Sequence, residues 1–271
     1  MAKTDPDPDM SPKIQFAIAG VQKAGTTALA QYLDQHEALY IPPTKELHIF
    51  RHSPTTKGQL ARDVAYKYRE APRDKMWAEA TPLYMYWPNS LELMALHNPA
   101  MKIIVSLRHP VARAYSGWSM EIRRKREVES FSYCIREGRQ RVSKATNGVH
   151  LRYSYVERGF YGAQIRRLLS IFPREQVFFL RADHIKADHI CLQSLLGFLD
   201  IPCMDFTPIS KNVFPSSLVQ TPDELEADFA YLQGLYESDL SEISDLTGLD
   251  ISDWIAAPPS IFTLNSLASK L

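Results

Sequence analysis

The chain has 271 residues, of which 45% are hydrophobic, and its formal net charge at pH 7 is zero. It is long and apolar enough to bury a substantial core, and its overall charge favours no class of partner. The charge is unevenly spread, however. Residues 102–181 hold 17 lysines and arginines against 6 acidic residues, a local net charge of +11, whereas residues 221–271 have a local net charge of −9. A basic middle segment suits an anionic ligand, with a solvated basic surface as the alternative.

Cysteine usage and hydropathy exclude several classes of protein. Cys134, Cys191 and Cys203 form no C-x-x-C pair and are odd in number, which argues against a disulfide framework or a metal site. No apolar run approaches the ~20 residues that span a bilayer. Residues 1–12 are polar and proline-rich, which indicates a disordered tail and not a signal peptide. We therefore expect a cytoplasmic monomer or homodimer without a membrane partner, with one domain at 13–271.

The predicted elements alternate between strands and helices along the chain. Apolar runs bounded by glycine or proline predict strands at residues 15–19, 38–41, 77–81, 102–107 and 177–180. Helical periodicity and the stop signals at prolines predict helices from residue 26, from residue 110, within 127–152, and at 161–172, 190–199 and 223–246. Such alternation predicts a single α/β domain whose central parallel sheet has helices on both faces.

A glycine-rich loop follows the first predicted strand and precedes the first predicted helix. Gly20 and Gly25 form a G-x-x-x-x-G pattern, and such glycines let the backbone curl so that successive N–H groups point inward. The helix N-terminus adds a partial positive charge that favours an anion. The pattern alone is weak and also fits a plain glycine turn, but its position between strand and helix predicts phosphate binding.

The lysine of this loop is misplaced for hydrolysis of ATP or GTP. A nucleotide triphosphatase has lysine directly after the second glycine, where this chain has Thr26, and its lysine is Lys23 within the loop. There it is placed to neutralise charge on a bridging or leaving oxygen. No obvious aspartate ends the strand 102–107 to bind magnesium. A P-loop kinase or NTPase is therefore the less favoured hypothesis.

A second candidate anion site follows the strand 102–107. Arg108 stands at the carboxyl end of that strand, where open parallel sheets bind their ligands. Ser116 follows it with seven residues between, about two helical turns later. The guanidinium of arginine offers a planar fork to phosphate oxygens, and serine adds a hydroxyl donor.

These segments together resemble sulfotransferases that use 3′-phosphoadenosine 5′-phosphosulfate (PAPS). Residues 22–27 match the family's 5′-phosphosulfate loop, K-x-G-T-[TR], and residues 108–116 match its 3′-phosphate motif. Residues 45–50 resemble K-E-x-H-F-F and residues 79–84 resemble E-K-[ST]-P-x-Y, two motifs of the heparan-sulfate-type branch and its bacterial relatives. The resemblance covers about residues 14–254.

The resemblance implies a P-loop-like sulfotransferase fold and transfer of a sulfuryl group from PAPS to an acceptor hydroxyl, amine or guanidinium. Adenosine 3′,5′-bisphosphate (PAP) would be the product. It implies that Lys23 stabilises the leaving phosphate and that Glu46 is the general base. His48 is the alternative base, since histidine suits proton removal near neutral pH; both residues would otherwise belong to a plain surface loop. The residues expected to bind the donor are Gln22, Lys23, Ala24, Gly25, Thr26, Thr27, Arg108, Ser116, Tyr161 and Lys211.

Two departures from the family pattern bear on the substrates. Ala80 occupies the lysine position of E-K-[ST]-P, and because the related branch uses that lysine with an anionic polysaccharide, we expect a small soluble acceptor. Residues 210–214 stand where the family often has a basic, glycine-containing loop that closes over the nucleotide. Lys211 is the only basic residue among these five. The basic run 123–126 lacks interleaved aromatic residues, which argues against nucleic acid. A non-catalytic nucleotide-binding module is the remaining alternative.

Overall fold

A parallel five-stranded sheet forms the centre of the fold in this computed structural model, which describes residues 13–51, 56–187, 190–209 and 221–259. The strands are β1 (Phe16–Gly20), β2 (Leu39–Tyr40), β3 (Met76–Ala80), β4 (Lys102–Leu107) and β5 (Val177–Arg181). Their order is β2-β3-β1-β4-β5, and Phe16 of β1 aligns with Ala78 of β3 and Lys102 of β4. The segments that follow β1, β3 and β4 therefore start at the same edge of the sheet, where parallel sheets bind ligands.

Helices flank the sheet, so the expected α/β class with a central parallel sheet is confirmed. The helices are α1 (Thr26–Leu33), α2 (Lys57–Lys67), α3 (Ser90–His97), α4 (Pro110–Arg123), α5 (Phe131–Ile135), α6 (Gln140–Ser143), α7 (Tyr161–Ile171), α8 (His184–Ala187), α9 (Ile190–Leu199), α10 (Pro222–Thr247) and α11 (Ser252–Ala256). Pro110 begins α4 at a position where its missing N–H costs nothing. A capping box of Thr221 and Glu224 begins α10, and Gly248 with φ 75° ends it.

The described chain divides into two compact units that interleave in sequence. The first unit comprises residues up to 21, 25–107 and 167–209, and the second comprises residues 22–24, 108–166 and those from 210 onward. The first unit contains the whole sheet. Its apolar core joins alternate residues of β1 and β3, together with Ile104 of β4 and Leu180 of β5, with apolar side chains of α1 and α9. Every residue of β1 is buried, which explains why β1 is a continuous apolar run in the sequence.

The second unit has an aromatic core of its own. Tyr115 and Trp118 of α4 pack with Phe131 of α5 and Phe229 of α10, and the ring centroids of Tyr115 lie 5.2 to 5.7 Å from the other three. Aromatic side chains bury much area and favour such edge-on and tilted contacts. The core thereby fixes α4, the helix that carries the predicted 3′-phosphate motif.

The helical character predicted within residues 127–152 is present as short elements, and no continuous helix forms there. The segment contains only α5, α6 and short 3₁₀ turns. Arg136, with φ −113° and ψ −98°, is outside the helical region and ends α5, and Asn147 and Gly148 have positive φ. The backbone therefore turns at these points instead of continuing as one helix. Helices α2, α3, α8 and α11 were not predicted.

Candidate functional site

The loop between β1 and α1 places two residues in the left-handed region of backbone conformation. Gly25, the N-cap of α1, has φ 72° and Lys23 has φ 76°. Gly25 accepts this conformation because it has no Cβ, which would also lie 3.3 Å from Ile185 Cδ1. A glycine N-cap supplies no side-chain acceptor to the first N–H groups of α1, which is the arrangement that anions exploit at helix N-termini.

Lys23 lies in a cluster of cations within the second unit. Its Nζ lies 3.7 Å from Met120 Sδ on α4, and Arg108 donates from Nη1 to the main-chain oxygen of Lys23 at 3.3 Å. Burial, followed by the positive charges of Arg123 and Arg108, lowers the pKa of Lys23 from 10.5 to about 8. A bound anion would offset this repulsion. The cluster therefore suits a phosphate or phosphosulfate group.

Arg158 supports the same loop through Gln22. Its guanidinium is almost fully buried and donates to Gln22 Oε1 and, at 2.7 Å, to the main-chain oxygen of Leu151. A buried charge needs such acceptors because leaving it unsatisfied is costly. No sequence pattern indicates this role of Arg158, since its contact with Gln22 joins residues 136 positions apart.

The predicted 3′-phosphate residues lie at α4. Arg108 lies two residues before the start of this helix, next to its N-cap His109; Ser116 lies within the helix, and both Arg108 and Ser116 are half-buried. Tyr161 is fully buried and donates its hydroxyl proton to the main-chain oxygen of Arg108 at 2.8 Å. Its predicted contact with the donor stays a prediction, and the structure connects it with the Arg108 backbone. Lys211 lies outside the described residues.

In the first unit, Lys45 reaches the N-terminus of α1. Its Nζ donates to Thr27 Oγ1 at 3.0 Å and to Thr26 Oγ1 at 3.5 Å. Burial lowers the pKa of Lys45, and the negative charges of Glu46 and Glu79 partly offset that effect. Lys45 thus adds a cation at the end of a helix that already favours anions. The sequence signal was present, because Lys45 opens the K-E-x-H-F-F-like segment, but no role was assigned to it.

The two candidate bases lie side by side. His48 Nε2 is 3.8 Å from Glu46 Oε2, and the two side chains are 33% and 40% exposed, so both are accessible from solvent. Both residues have positive φ, 65° for Glu46 and 55° for His48. The structure therefore brings the two predicted bases together without choosing between them.

The interior of the first unit contains Ala80 and two aromatic residues near it in sequence, Trp77 and Tyr84. Ala80 belongs to the apolar core of the first unit. Trp77 stacks on Tyr68 with ring centroids 5.1 Å apart, and Tyr84 is fully buried. Trp77 and Tyr84 are therefore buried and do not form an exposed wall of a pocket.

Glu79 of β3 is a fully buried carboxylate that sequence analysis did not assign to the site. Its Oε1 accepts hydrogen bonds from Thr81 Oγ1 at 2.6 Å and from the N–H of Leu47 at 3.1 Å. Burial raises the pKa of Glu79 from 4.5 to about 7, although the two donors from Thr81 and Leu47 oppose the rise. Its segment, residues 79–84, is one of those that carry the family resemblance, which implies no role for Glu79.

Replacing Glu79 with glutamine is expected to stabilise the chain more at pH 8 than at pH 5. The raised pKa means that folding favours protonated Glu79, so the native chain loses stability as pH rises from about 4.5 to above 7. Between pH 5 and 8 this loss is about 2 to 3 kcal/mol, and glutamine removes it. Melting temperatures at both pH values measure the difference. The exposed substitution Glu226→Gln is the control, and an equal effect of Glu79→Gln at both pH values would contradict the prediction.

Neither a metal cluster nor a spanning helix is found among these residues. In the described ranges, no group of three or more histidine, cysteine, aspartate or glutamate side chains is placed to hold a metal ion. Over the same part of the chain, no helix combines the length and apolar character needed to cross a membrane. Residues 123–126 are exposed.

Comparisons with known proteins give one consistent result. A profile of the sulfotransferase domain family matches residues 13–216. The crystal structure of a sulfotransferase from Alicyclobacillus acidocaldarius matches with a TM-score of 0.74 and 27% sequence identity, over 90% of this chain and 99% of that one. Both the sequence family and the solved structure thus cover most of the chain.

Two curated relatives show lower coverage. Heparan sulfate glucosamine 3-O-sulfotransferase 5 of Mus musculus is 24% identical over 189 residues, which are 68% of this chain and 53% of the relative. The membrane-associated sulfotransferase kil1 of Dictyostelium discoideum is 27% identical over 144 residues, which are 51% of this chain and 30% of the relative. The chain therefore spans about half, or less, of the length of these curated relatives.

Proposed function

Because this chain belongs to the sulfotransferase domain family, we propose that it transfers a sulfuryl group from PAPS to an acceptor hydroxyl, amine or guanidinium by in-line displacement. The observation that carries the proposal is the cation cluster at Lys23, where Arg108 binds the Lys23 main chain and burial, with positive neighbours, lowers the pKa of the lysine. A site with this much positive charge favours a ligand with several negative charges.

The proposed donor contacts follow the two motifs. The loop and the first residues of α1 bind the 5′-phosphosulfate, and Arg108 with Ser116 binds the 3′-phosphate. Arg108 offers a planar fork for phosphate oxygens, and Tyr161 and Lys211 are proposed as further donor contacts. We propose Lys45 as one more residue that binds PAPS, because its ammonium group donates hydrogen bonds to the hydroxyls of Thr26 and Thr27. The donor-binding loop comprises Gln22, Lys23, Ala24, Gly25, Thr26 and Thr27.

The proposed chemistry needs two groups from the chain. As the bond between sulfur and the bridging phosphate oxygen breaks, the Lys23 ammonium group stabilises the negative charge that develops on that oxygen. As the acceptor oxygen or nitrogen bonds to sulfur, it loses a proton, which Glu46 accepts. His48 is the alternative base and otherwise orients Glu46.

We propose a small molecule as the acceptor. The support is Ala80, since an apolar, buried residue at this position offers no cation to an anionic polysaccharide. A panel of small alcohols, amines and guanidines, assayed beside desulfated heparan fragments with labelled PAPS, tests this point. Transfer to the polysaccharide alone would overturn the choice of acceptor and leave the sulfotransferase proposal intact.

Substituting Arg108 with alanine is expected to weaken PAP binding by about ten- to a hundredfold, the usual contribution of a charge-assisted bond to phosphate. Isothermal titration calorimetry measures the dissociation constant. Arg69→Ala is the matched control, because Arg69 is a mostly exposed arginine that pairs only with exposed groups in the described chain. Unchanged affinity in Arg108→Ala would remove Arg108 from the donor site.

Turnover separates the proposal from its two alternatives. A sulfotransferase releases PAP only when PAPS and an acceptor are both present. A P-loop kinase or NTPase would turn over ATP with magnesium instead, and a binding module would bind PAP without any turnover. Family membership and the absence of lysine at position 26 favour the sulfotransferase.

A further inference from the structure

Two segments far apart in sequence are joined in register in the first unit. The first, the acceptor loop, comprises residues 46–51, and the second, the bracing segment, comprises residues 79–87. Four hydrogen bonds join them in sequence order: Leu47 N–H to Glu79 Oε1 (3.1 Å), His48 N–H to Thr81 Oγ1 (3.4 Å), Phe50 N–H to the Tyr84 hydroxyl (3.3 Å) and Trp87 Nε1–H to the Arg51 main-chain oxygen (3.1 Å). Three of the four bind main-chain donors of the acceptor loop.

The acceptor loop needs such support because its backbone is strained at both candidate bases. Glu46 and His48 have φ values of 65° and 55°, in the left-handed region that side chains other than glycine disfavour. Residues persist in this region only where the surrounding structure imposes it. The bonds to Leu47 and His48 act directly at this strained stretch.

The accepting groups of the bracing segment are too deeply buried to contact a substrate. Glu79, Thr81 and Tyr84 are each 0% exposed. Thr81 Oγ1 donates to Glu79 Oε1 at 2.6 Å, so the acceptors of the first two hydrogen bonds are themselves joined. The Tyr84 ring packs edge-on against the Phe50 ring, with 5.5 Å between their centroids. These side chains can therefore affect chemistry only through the loop that they hold.

We propose that Glu79, Thr81 and Tyr84 are positioning residues that set the backbone of the acceptor loop and thereby aim Glu46 and His48 at the acceptor. The inference rests on the proposed function, in which one of these two side chains removes the acceptor's proton. We therefore expect loss of a hydrogen bond from these three residues to lower kcat and to leave the affinity for the sulfuryl donor unchanged. The reason is that a small displacement of a catalytic group is enough to lower the rate steeply.

Thr81→Val and Thr81→Ser form the central test. Valine has the shape of threonine without the hydroxyl, so the His48 N–H loses its hydrogen-bond acceptor. We expect kcat to fall about tenfold or more. Serine restores the hydroxyl and is expected to keep kcat within about twofold, while both variants keep the PAP dissociation constant. Ser90→Ala is the control, since Ser90 has a buried hydroxyl without a hydrogen-bond partner in the described residues. Native kcat in Thr81→Val, or equal losses in both Thr81 variants, would overturn the proposal.

Tyr84→Phe and Glu79→Gln test the hydrogen bonds to Phe50 and Leu47. Tyr84→Phe removes the acceptor of Phe50 N–H and is expected to lower kcat, again with unchanged PAP affinity. Glutamine at position 79 retains an oxygen that can accept both bonds, so kcat should stay within about threefold of the native value. A loss as large as that caused by Glu46→Gln would mean that Glu79 itself takes the proton, and the positioning role would be wrong.

Hydrogen exchange separates failure of this inference from failure of the proposed function. Amide protons of residues 46–51 should exchange faster in Thr81→Val and at the native rate in Thr81→Ser and Ser90→Ala, whether or not an acceptor is known. Unchanged exchange in Thr81→Val would refute the braces even in an active sulfotransferase. Faster exchange in a chain that transfers no sulfuryl group would retain the braces and refute the proposed reaction.

Discussion

Replacing Lys23 with methionine is expected to lower kcat for sulfuryl transfer by about a hundred- to a thousandfold, the usual loss when one stabiliser of a developing negative charge is removed. Methionine is of similar length and apolar, and it can pack against Met120, which lies 3.7 Å from the lysine nitrogen. The effect belongs in kcat because the charge on the leaving oxygen develops in the transition state. Steady-state kinetics with saturating PAPS measure it.

The matched control for Lys23 is Lys144→Met, which removes an exposed lysine of the same unit. This control should keep both kcat and KM. A Lys23→Met enzyme with native kcat and a raised KM for PAPS would show that Lys23 binds the ground state and the transition state equally. Lys23 would then be a binding residue without a role in the chemical step.

The pH dependence of donor binding provides a second readout for Lys23. In the free chain this lysine loses its proton as pH rises through about 8, and only the protonated form attracts the anion. PAP affinity should therefore fall between pH 7 and 9 in the native chain, and Lys23→Met should flatten that decline. An equal decline in both proteins would assign the titration to another group.

Glu46→Gln is expected to lower kcat by about a thousandfold, within the range that general bases contribute. Glutamine keeps the shape of glutamate and cannot accept the proton. His48→Gln should cost about tenfold, because an orienting neighbour contributes less than the base. Acceptor turnover at saturating PAPS measures both, and calorimetry with PAP checks that the donor site is intact.

The pair of variants decides between the two bases. If His48→Gln loses more activity than Glu46→Gln, then His48 is the base and our assignment is overturned. Glu226→Gln, an exposed glutamate in α10, is the control and should keep native kcat. The distance of 3.8 Å between the two side chains in the free chain does not count against either role, since catalytic hydrogen bonds often shorten only when substrate binds.

The elements that local sequence determines were predicted well. The bounds predicted for β4 and α9 agree with Lys102–Leu107 and Ile190–Leu199, because each is an apolar run ended by a turn signal. Helices were predicted within residues 127–152, but not their division into α5 and α6 by the non-helical backbone at Arg136. Sequence patterns do not show such a break where no glycine or proline stands at the breaking residue.

The sequence allowed the residues of the candidate site to be predicted, but not the contacts that hold them in place. Lys23, Arg108, Glu46 and His48 stand in motifs that the sequence displays, but their partners come from other parts of the chain. Glu79 contacts a main-chain N–H 32 residues away, so no spacing rule reveals it. The donor contacts, the domain extent of 13–271, the monomer or homodimer state and the cytoplasmic location stay predictions.

The hydrogen bonds that hold the acceptor loop have a consequence for how its sequence can change during evolution. Glu79, Thr81 and Tyr84 bind main-chain N–H groups, and every residue except proline supplies one. The side chain at position 47 can therefore be exchanged without loss of its hydrogen bond to Glu79, whereas positions 79, 81 and 84 must retain a hydrogen-bond acceptor. In an alignment of close homologues we expect position 47 to vary freely and the three bracing positions to change little. Such a loop lets acceptor preference evolve while the fold is kept.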